Sequence, residues 1–355
     1  MIVLVSLAFT SCESQISGDQ EIEPSVIRFE RWSGEPYIPR VPGTFYSVLV
    51  ANPAVIDFKG ETFFFFRGQE ESGKDQIGLW KTSAEDADGI HWTEQFPEPV
   101  IPVSESVNAP DNSYILDPAV VVKGDSLLVY YTGKSRNAST FSTISLSITT
   151  DGQTFTKYEM NPILEDAIAP EVVFHNGLFH LFYQRLHDDR YWEVYMATSH
   201  DGTNFDIENE TKVFGPSREE GTFDAHSVAT VRIFKEEDHF YLTYAACEQF
   251  LDYPESIGLA RSDDLVNWER YPKNPIFERG EAGTWDEGAL WFASVRKIDD
   301  RFMMWYEGTG TGLGLISEKA REASRKARED NYGGYRTTSF SQMGLAIFDG
   351  DITDW

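Results

Sequence analysis

Several residues able to handle protons fall at corresponding points of a recurring pattern. They are Asp117 in "LDPAVV", Glu171 in "APEVVF", Asp224 and His226 in "FDAHS", and Asp286 and Glu287 in "WDEG", with Asn52 of "ANPAV" at the same point. Carboxylates that share a pocket divide acid and base roles, because burial and neighbouring charge raise one pKa while another group stays ionised. On this reading Asp117 and Glu171 are the leading base and acid, and Glu287, His226 and Asp224 are further catalytic candidates. Each also has a structural use. Asp before Pro118 caps its own turn. Glu171, inside the apolar run "EVVF", must face a cavity or a cation such as Arg185, since an unpaired buried carboxylate is costly. Asp224 and His226 are two apart and share one face of an extended strand, which suits a hydrogen-bonded pair as well as proton transfer or metal support. Asp286 and Glu287 are neighbours, so only one points inward. Glu287 is preferred, and Asp286 repeats Asp224 in "GTFD" and "GTWD".

A repeat must bring these distant positions together. An apolar hairpin recurs five times, as "NPAVIDFKGETFFFFRG", "DPAVVVKGDSLLVYYTG", "APEVVFHNGLFHLFYQR", "ATVRIFKEEDHFYLTYA" and "ASVRKIDDRFMMWYEG". A strand running to an acidic turn and an aromatic follows each, as in "VYMATSHDGTNF" and "IGLARSDDLVNW". A short closing strand appears four times, in "EPVIP", "NPILE", "KVFGP" and "NPIFE". Alternating apolar residues broken at turn pairs predict four-stranded antiparallel meanders. One such sheet cannot bury both faces, whereas five set radially can, so the expectation is an all-β, five-bladed β-propeller with four-stranded antiparallel blades. The missing fifth closing strand is expected from "SVIRFERW", Ser25 to Trp32, because an open edge invites aggregation. Alanines and mixed charges in "ISEKAREASRKARED", Ile316 to Asp330, predict one inserted helix in the last blade.

The 355-residue chain carries a net charge of -28, which opposes nucleic acid and anionic lipid surfaces as partners. Neutral sugars suffer no such penalty. Aromatic residues make up 14% of the chain, and Trp291 and Trp285 are candidate sugar platforms, although most aromatics of the repeat serve packing. The start "MIVLVSLAFTS" runs into Cys12 like a lipoprotein export signal lacking a basic flank. Residues 1–12 are therefore expected to be a signal or lipoprotein segment, 13–24 a linker and 25–355 the propeller, in an exported, periplasmic or outer-membrane-anchored bacterial protein. Membrane contact would come only through that lipid anchor, and the oligomeric state is left open. Cys247 is the one other cysteine, so no intrachain disulfide framework is expected.

From about Pro36 to Trp355 the motifs "DPAVV" with "YYTG", "APEVVFHNGLFHLFYQ" and "IGLARSDDLVNWERYPKNPIF" resemble the five-bladed propeller glycosidases, the group containing glycoside hydrolase families 43, 32, 62, 117 and 130. The resemblance implies a glycosidase acting on an oligo- or polysaccharide, with one carboxyl protonating the leaving oxygen and another activating water or attacking the anomeric carbon. It implies substrate binding by Asn52 and Arg67, which stand where family 130 places such residues; Arg185, Trp291 and Asp286 are further substrate-binding candidates taken from the residues themselves. No cofactor is required by this chemistry; a structural cation such as calcium in the central channel is compatible with it. Two departures stand out. Families 43 and 32 begin blade one with Asp where this chain has Asn52, and family 130 phosphorylases carry Arg where this chain has Ala119. The second departure favours water over phosphate as the attacking species. A family 130-like phosphorylase and a non-catalytic sugar-binding propeller are the alternatives.

Overall fold

The computed structural model describes residues 26–135, 142–188, 190–249, 252–281, 283–310, 340–353 and 355. Five three-stranded antiparallel meanders follow one another along the chain. The first comprises Leu49–Phe58, Glu61–Gln69 and Asp75–Ser83, the second Tyr114–Lys123, Ser126–Lys134 and Thr143–Thr149, and the third Ile168–His175, Leu178–His187 and Tyr191–Ser199. The fourth comprises Ser227–Glu236, His239–Cys247 and Ser256–Ser262, and the fifth Ala289–Ile298, Arg301–Thr309 and Gln342–Phe348.

The expected five separate four-stranded blades are not what forms. The strands assemble into four sheets, of four, nine, four and five strands. The first two meanders fuse because Asp75, at the start of one strand, pairs in parallel with Tyr114 of the next meander. The closing strands are also shorter than expected, and Pro explains why. A proline has no N–H to give a ladder, so the strands expected over "NPILE" and "NPIFE" shrink to Leu164–Glu165 and Phe277–Glu278, and Thr156–Lys157 and Glu269–Arg270 pair ahead of them. Between the pieces, the side-chain amides of Asn161 and Asn274 take over, each bonding both the N–H and the carbonyl of a facing residue, Leu146 and Leu259. No helix occurs among the described residues, and the expected helix over Ile316 to Asp330 lies outside them, as does the expected export segment.

The N-terminal segment does close the fifth meander: Glu30 pairs with Ile347 and Arg31 with Ala346. A recurring polar unit marks the same outer position in three meanders. A buried aspartate accepts from a tyrosine twenty residues on and from a cation: Asp111 with Tyr131 and Lys157, Asp224 with Tyr244 and Arg270, and Asp286 with Tyr306 and Arg31. In the last unit the cation comes from the other end of the chain.

Aromatic residues fill the spaces between meanders. In the run Phe63 to Phe66, Phe63 and Phe65 pack toward the second meander and Phe64 and Phe66 toward the fifth, as the two-residue period of a strand buried on both faces requires. Each ring withdrawn from water contributes about 1.5–3 kcal/mol.

Candidate functional site

The five first strands share one irregularity. A bulge interrupts each hairpin between Ala51 and Ala54, Leu116 and Ala119, Ile168 and Glu171, Val228 and Thr230, and Trp291 and Ser294. In four of them the residue inside the bulge is left-handed, with φ of 53° at Asn52, 56° at Asp117, 51° at Ala169 and 43° at Phe292. Asn and Asp tolerate this conformation best, which is one reason they head the first two hairpins. All four residues, with Thr230 of the fourth meander, line one cavity of about 180 Å3. Residues from the second strands join them. Arg67, Thr132, Gln184, Ala245 and Glu307 hold equivalent positions, and of these Arg67, Gln184 and Glu307 reach the cavity. Lys134, Trp192, Asp252 and Trp291 complete the polar and aromatic wall.

Burial sets the chemistry. Asp117 is only 7% exposed, and desolvation raises its pKa against the pull of the Thr132 hydroxyl and the charges of Arg67, Arg232 and Lys134. Thr132 is oriented to donate, because its oxygen already accepts from the Ala169 N–H. Glu307 is 4% exposed, and burial pushes its carboxyl up to about 7, opposed by Arg67 and the Ser341 hydroxyl and reinforced by Asp117. Its two oxygens accept from Asn52 Nδ2 at 2.9 Å and from Ser341 Oγ. Arg67 loses hydration on burial, but Asp75, Glu307 and Asp117 together hold its pKa above the usual value. Asn52 Oδ1 and Gln184 Oε1 are buried acceptors without a hydrogen-bond partner. Such atoms cost about 1–3 kcal/mol each until a donor arrives, and a sugar hydroxyl is such a donor.

Asp117, Asn52, Arg67 and Trp291 thus come together, with the Trp291 indole N–H donating to Asp252 at 3.0 Å. The remaining candidates lie elsewhere. Glu171 sits one level down the channel and lines a separate cavity of about 430 Å3 at the opposite mouth, paired with Arg232. Asp224 and Asp286 are the buried acids of the Tyr-cation units described above, and Trp285 stacks on Tyr306 beside the latter. His226 lies with Nε2 2.9 Å from the Arg190 carbonyl oxygen, and Glu287 accepts from the Gly283 N–H. Arg185 pairs with Glu210, not with Glu171. None of these six carboxylate, imidazole and guanidinium groups lines the cavity.

Sequence reading missed Glu307, and with it Lys134, Gln184 and Trp192. Glu307 ends the fifth hairpin in "MMWYEG" where the first ends in Arg67, so lining up the ends of the second strands, as well as the heads of the first, exposes it. Ala119, whose missing arginine argued against phosphate, does not reach the cavity either; its cations are Arg67 and Lys134. In the channel below, the carbonyls of Pro53, Pro118 and Pro170 accept from the Arg232 guanidinium. Among the described residues no group of three or more His, Cys, Asp or Glu side chains is placed to hold a metal.

Comparison with known proteins bears on the fold. Residues 166–313 match the family model described as beta-1,4-mannooligosaccharide phosphorylase, glycoside hydrolase family 130. Among solved structures, an N-acetylgalactosamine deacetylase from F. plautii, in complex with blood group B trisaccharide, aligns over 90% of this chain and 95% of its own with a TM-score of 0.66 at 15% identity. A family 130 structure, from a study of hydrolases that target beta-1,2 mannosidic linkages in Candida mannan, aligns over 90% and 93% with a TM-score of 0.62 at 15% identity. A thermostable family-43 glycoside hydrolase aligns over 84% and 88% with a TM-score of 0.60 at 16% identity. No curated protein matches the chain. The fold is therefore the propeller-like fold shared with the family 43 and family 130 structures, and residues 166–313 carry the family 130 sequence match. Because that fold also carries a deacetylase, the reaction must be argued from the site.

Proposed function

We propose that this protein cleaves a terminal glycosidic bond of a neutral oligosaccharide by phosphorolysis. The observation that carries the reading is one cavity whose wall holds the buried acid Asp117, two cations, Arg67 and Lys134, and the rings of Trp192 and Trp291. Burial raises the pKa of Asp117 above the usual carboxylate value, the direction a general acid requires. Asp117 gives its proton to the glycosidic oxygen, the C–O bond breaks, and a phosphate oxygen held by the cations bonds to the anomeric carbon. The products are a sugar phosphate and a shortened alcohol, and Asp117 regains its proton from solvent. The Trp faces take the apolar C–H surface of the ring, and Asn52 Oδ1 and Gln184 Oε1 accept from its hydroxyls. Arg232 and Glu171 close the channel beneath, which favours a chain end over a chain middle. The partial match to a mannooligosaccharide phosphorylase supports β-linked mannosides as the first substrates to assay.

Glu307 supports a second reading. A second carboxyl in the same cavity suits hydrolysis, with Glu307 as acid and Asp117 as the base that activates water. Turnover of mannooligosaccharides with and without inorganic phosphate separates the two. Phosphorolysis predicts a glycosyl phosphate by 31P NMR and no cleavage without phosphate; free sugar at an unchanged rate without phosphate would overturn it.

A further inference from the structure

We infer that Arg232 is a positioning residue for Asp117, clamping together the backbone that aims the head residues of the hairpins into the cavity. This rests on the reading of Asp117 as a group that acts on substrate. Arg232, 3% exposed, belongs to the fourth meander yet reaches the other four. Its Nε donates to Pro53 O at 3.3 Å, Nη1 to Pro170 O at 3.1 Å and Nη2 to Pro118 O at 3.0 Å. Its Cζ lies 4.5 Å from the centroid of the Phe292 ring. Those contacts fall on the left-handed residues themselves or immediately after them: Asn52, Asp117, Ala169 and Phe292.

A bulge breaks the strand ladder and strands a carbonyl. Here one guanidinium satisfies three such carbonyls, from segments 179, 114 and 62 residues away in sequence. Only a planar fork with five donors does this; a lysine carries the charge but not the geometry. The register leaves space for it. Arg232 shares its level in the channel with Ala54, Ala119, Glu171 and Ser294, and three of these four neighbours are small. Glu171 neutralises the guanidinium from the side of the opposite mouth, with Oε2 3.3 Å from Nη1 and Oε1 accepting from the Ile233 N–H. The groups whose charge or hydroxyl Asp117 meets are Thr132, Arg67, Arg232 and Lys134, with Glu307 across the cavity. Arg232 therefore holds Asp117 twice, by the carbonyl next to it and by its charge.

The test is the titration of the Asp117 carboxyl, followed by 13C NMR in labelled protein and assigned with Asp117→Asn, alongside kcat against pH. Arg232→Gln removes the charge and should move the Asp117 titration up by about one pH unit. Arg232→Lys keeps the charge and loses the fork, so kcat should fall at least about tenfold with the titration moved by less than about half as much as in the glutamine variant. Glu171→Gln exposes Asp117 to an uncompensated Arg232 and should move the titration the opposite way, down by about half a unit. A residue serving stability alone would lower the melting temperature without these shifts of opposite sign. An Asp117 titration unmoved by Arg232→Gln, or an Arg232→Lys variant with undiminished kcat, overturns the inference; if neither variant folds, an unmoved titration in Glu171→Gln does so. Should no oligosaccharide be turned over, the functional reading fails while the NMR titration still decides the clamp.

Discussion

Glu307 and Glu171 are the same residue type, one on a second strand and one on a first strand, both buried, and burial pushes both up to about 7. Glu307 opens into the cavity that holds Asp117, whereas Glu171 looks into the other mouth with Arg232 against it. Burial and a displaced pKa therefore do not locate the site in this molecule. Register does: a strand advances about 6–7 Å over two residues, and Glu171 stands two residues beyond the level of Asp117 and Ala169. The guanidinium of Arg232 lies between the two levels, so one step down the same strand face changes which side of the protein a carboxyl serves.

The largest effect expected from this contrast belongs to Asp117. Asp117→Asn keeps the shape and the turn but cannot give a proton, and should lower kcat by about 10³-fold, within the range for a lost acid–base group. An assay showing less than a tenfold loss would move the chemistry away from the upper cavity.

The acids tied to Tyr and a cation provide a third case, in which charge is held for stability. Arg31→Ala leaves the Asp286 carboxylate, fully buried, without its cation. Denaturant unfolding should show a loss of about 3 kcal/mol, the lower end for an orphaned buried charge because Arg31 is partly exposed, with kcat of the folded fraction unchanged. A fall in kcat with no loss of stability would make that unit functional instead.

Glu307 also makes a statement about pH. Its folded pKa, about 7, is above the ordinary 4.5, so no contribution exists below pH 4.5, where both states are protonated. As pH rises toward 7 the unfolded chain ionises first, and the folded state loses up to about 3 kcal/mol relative to it. Glu307→Gln should therefore gain stability over the parent between pH 4.5 and 7 in paired denaturation curves. A gap independent of pH would show that Glu307 titrates normally in the folded protein.

The smallest effect is expected at the aromatic wall. Trp291→Ala removes one sugar platform and should raise KM about tenfold with kcat changed little. An equal fall in kcat would place Trp291 in transition-state positioning.

Much of the fold was legible because its signals are local. Hairpin turns, alternating strands and the recurrence of Asn-Pro and Asp-Pro at hairpin heads showed five equivalent units, and an unclosed last unit pointed to the N-terminal segment that pairs there. The fused first two meanders were not legible, since a single parallel pair between Asp75 and Tyr114 leaves no periodic trace. The shortened closing strands were readable in principle from the prolines. For the site, the heads of the first strands pointed to Asn52 and Asp117, and both line the same cavity. Glu171 was grouped with Asp117 as a hairpin head, but Asp117 precedes Pro118 while Glu171 follows Pro170, which sets it two residues further along the strand.

The most direct test is a crystal structure of the Asp117→Asn protein with a bound neutral mannooligosaccharide. A terminal sugar between Trp192 and Trp291, its hydroxyls on Asn52 and its glycosidic oxygen at residue 117, is the predicted result. Sugar seated instead in the mouth lined by Glu171, with the upper cavity empty, would contradict the account.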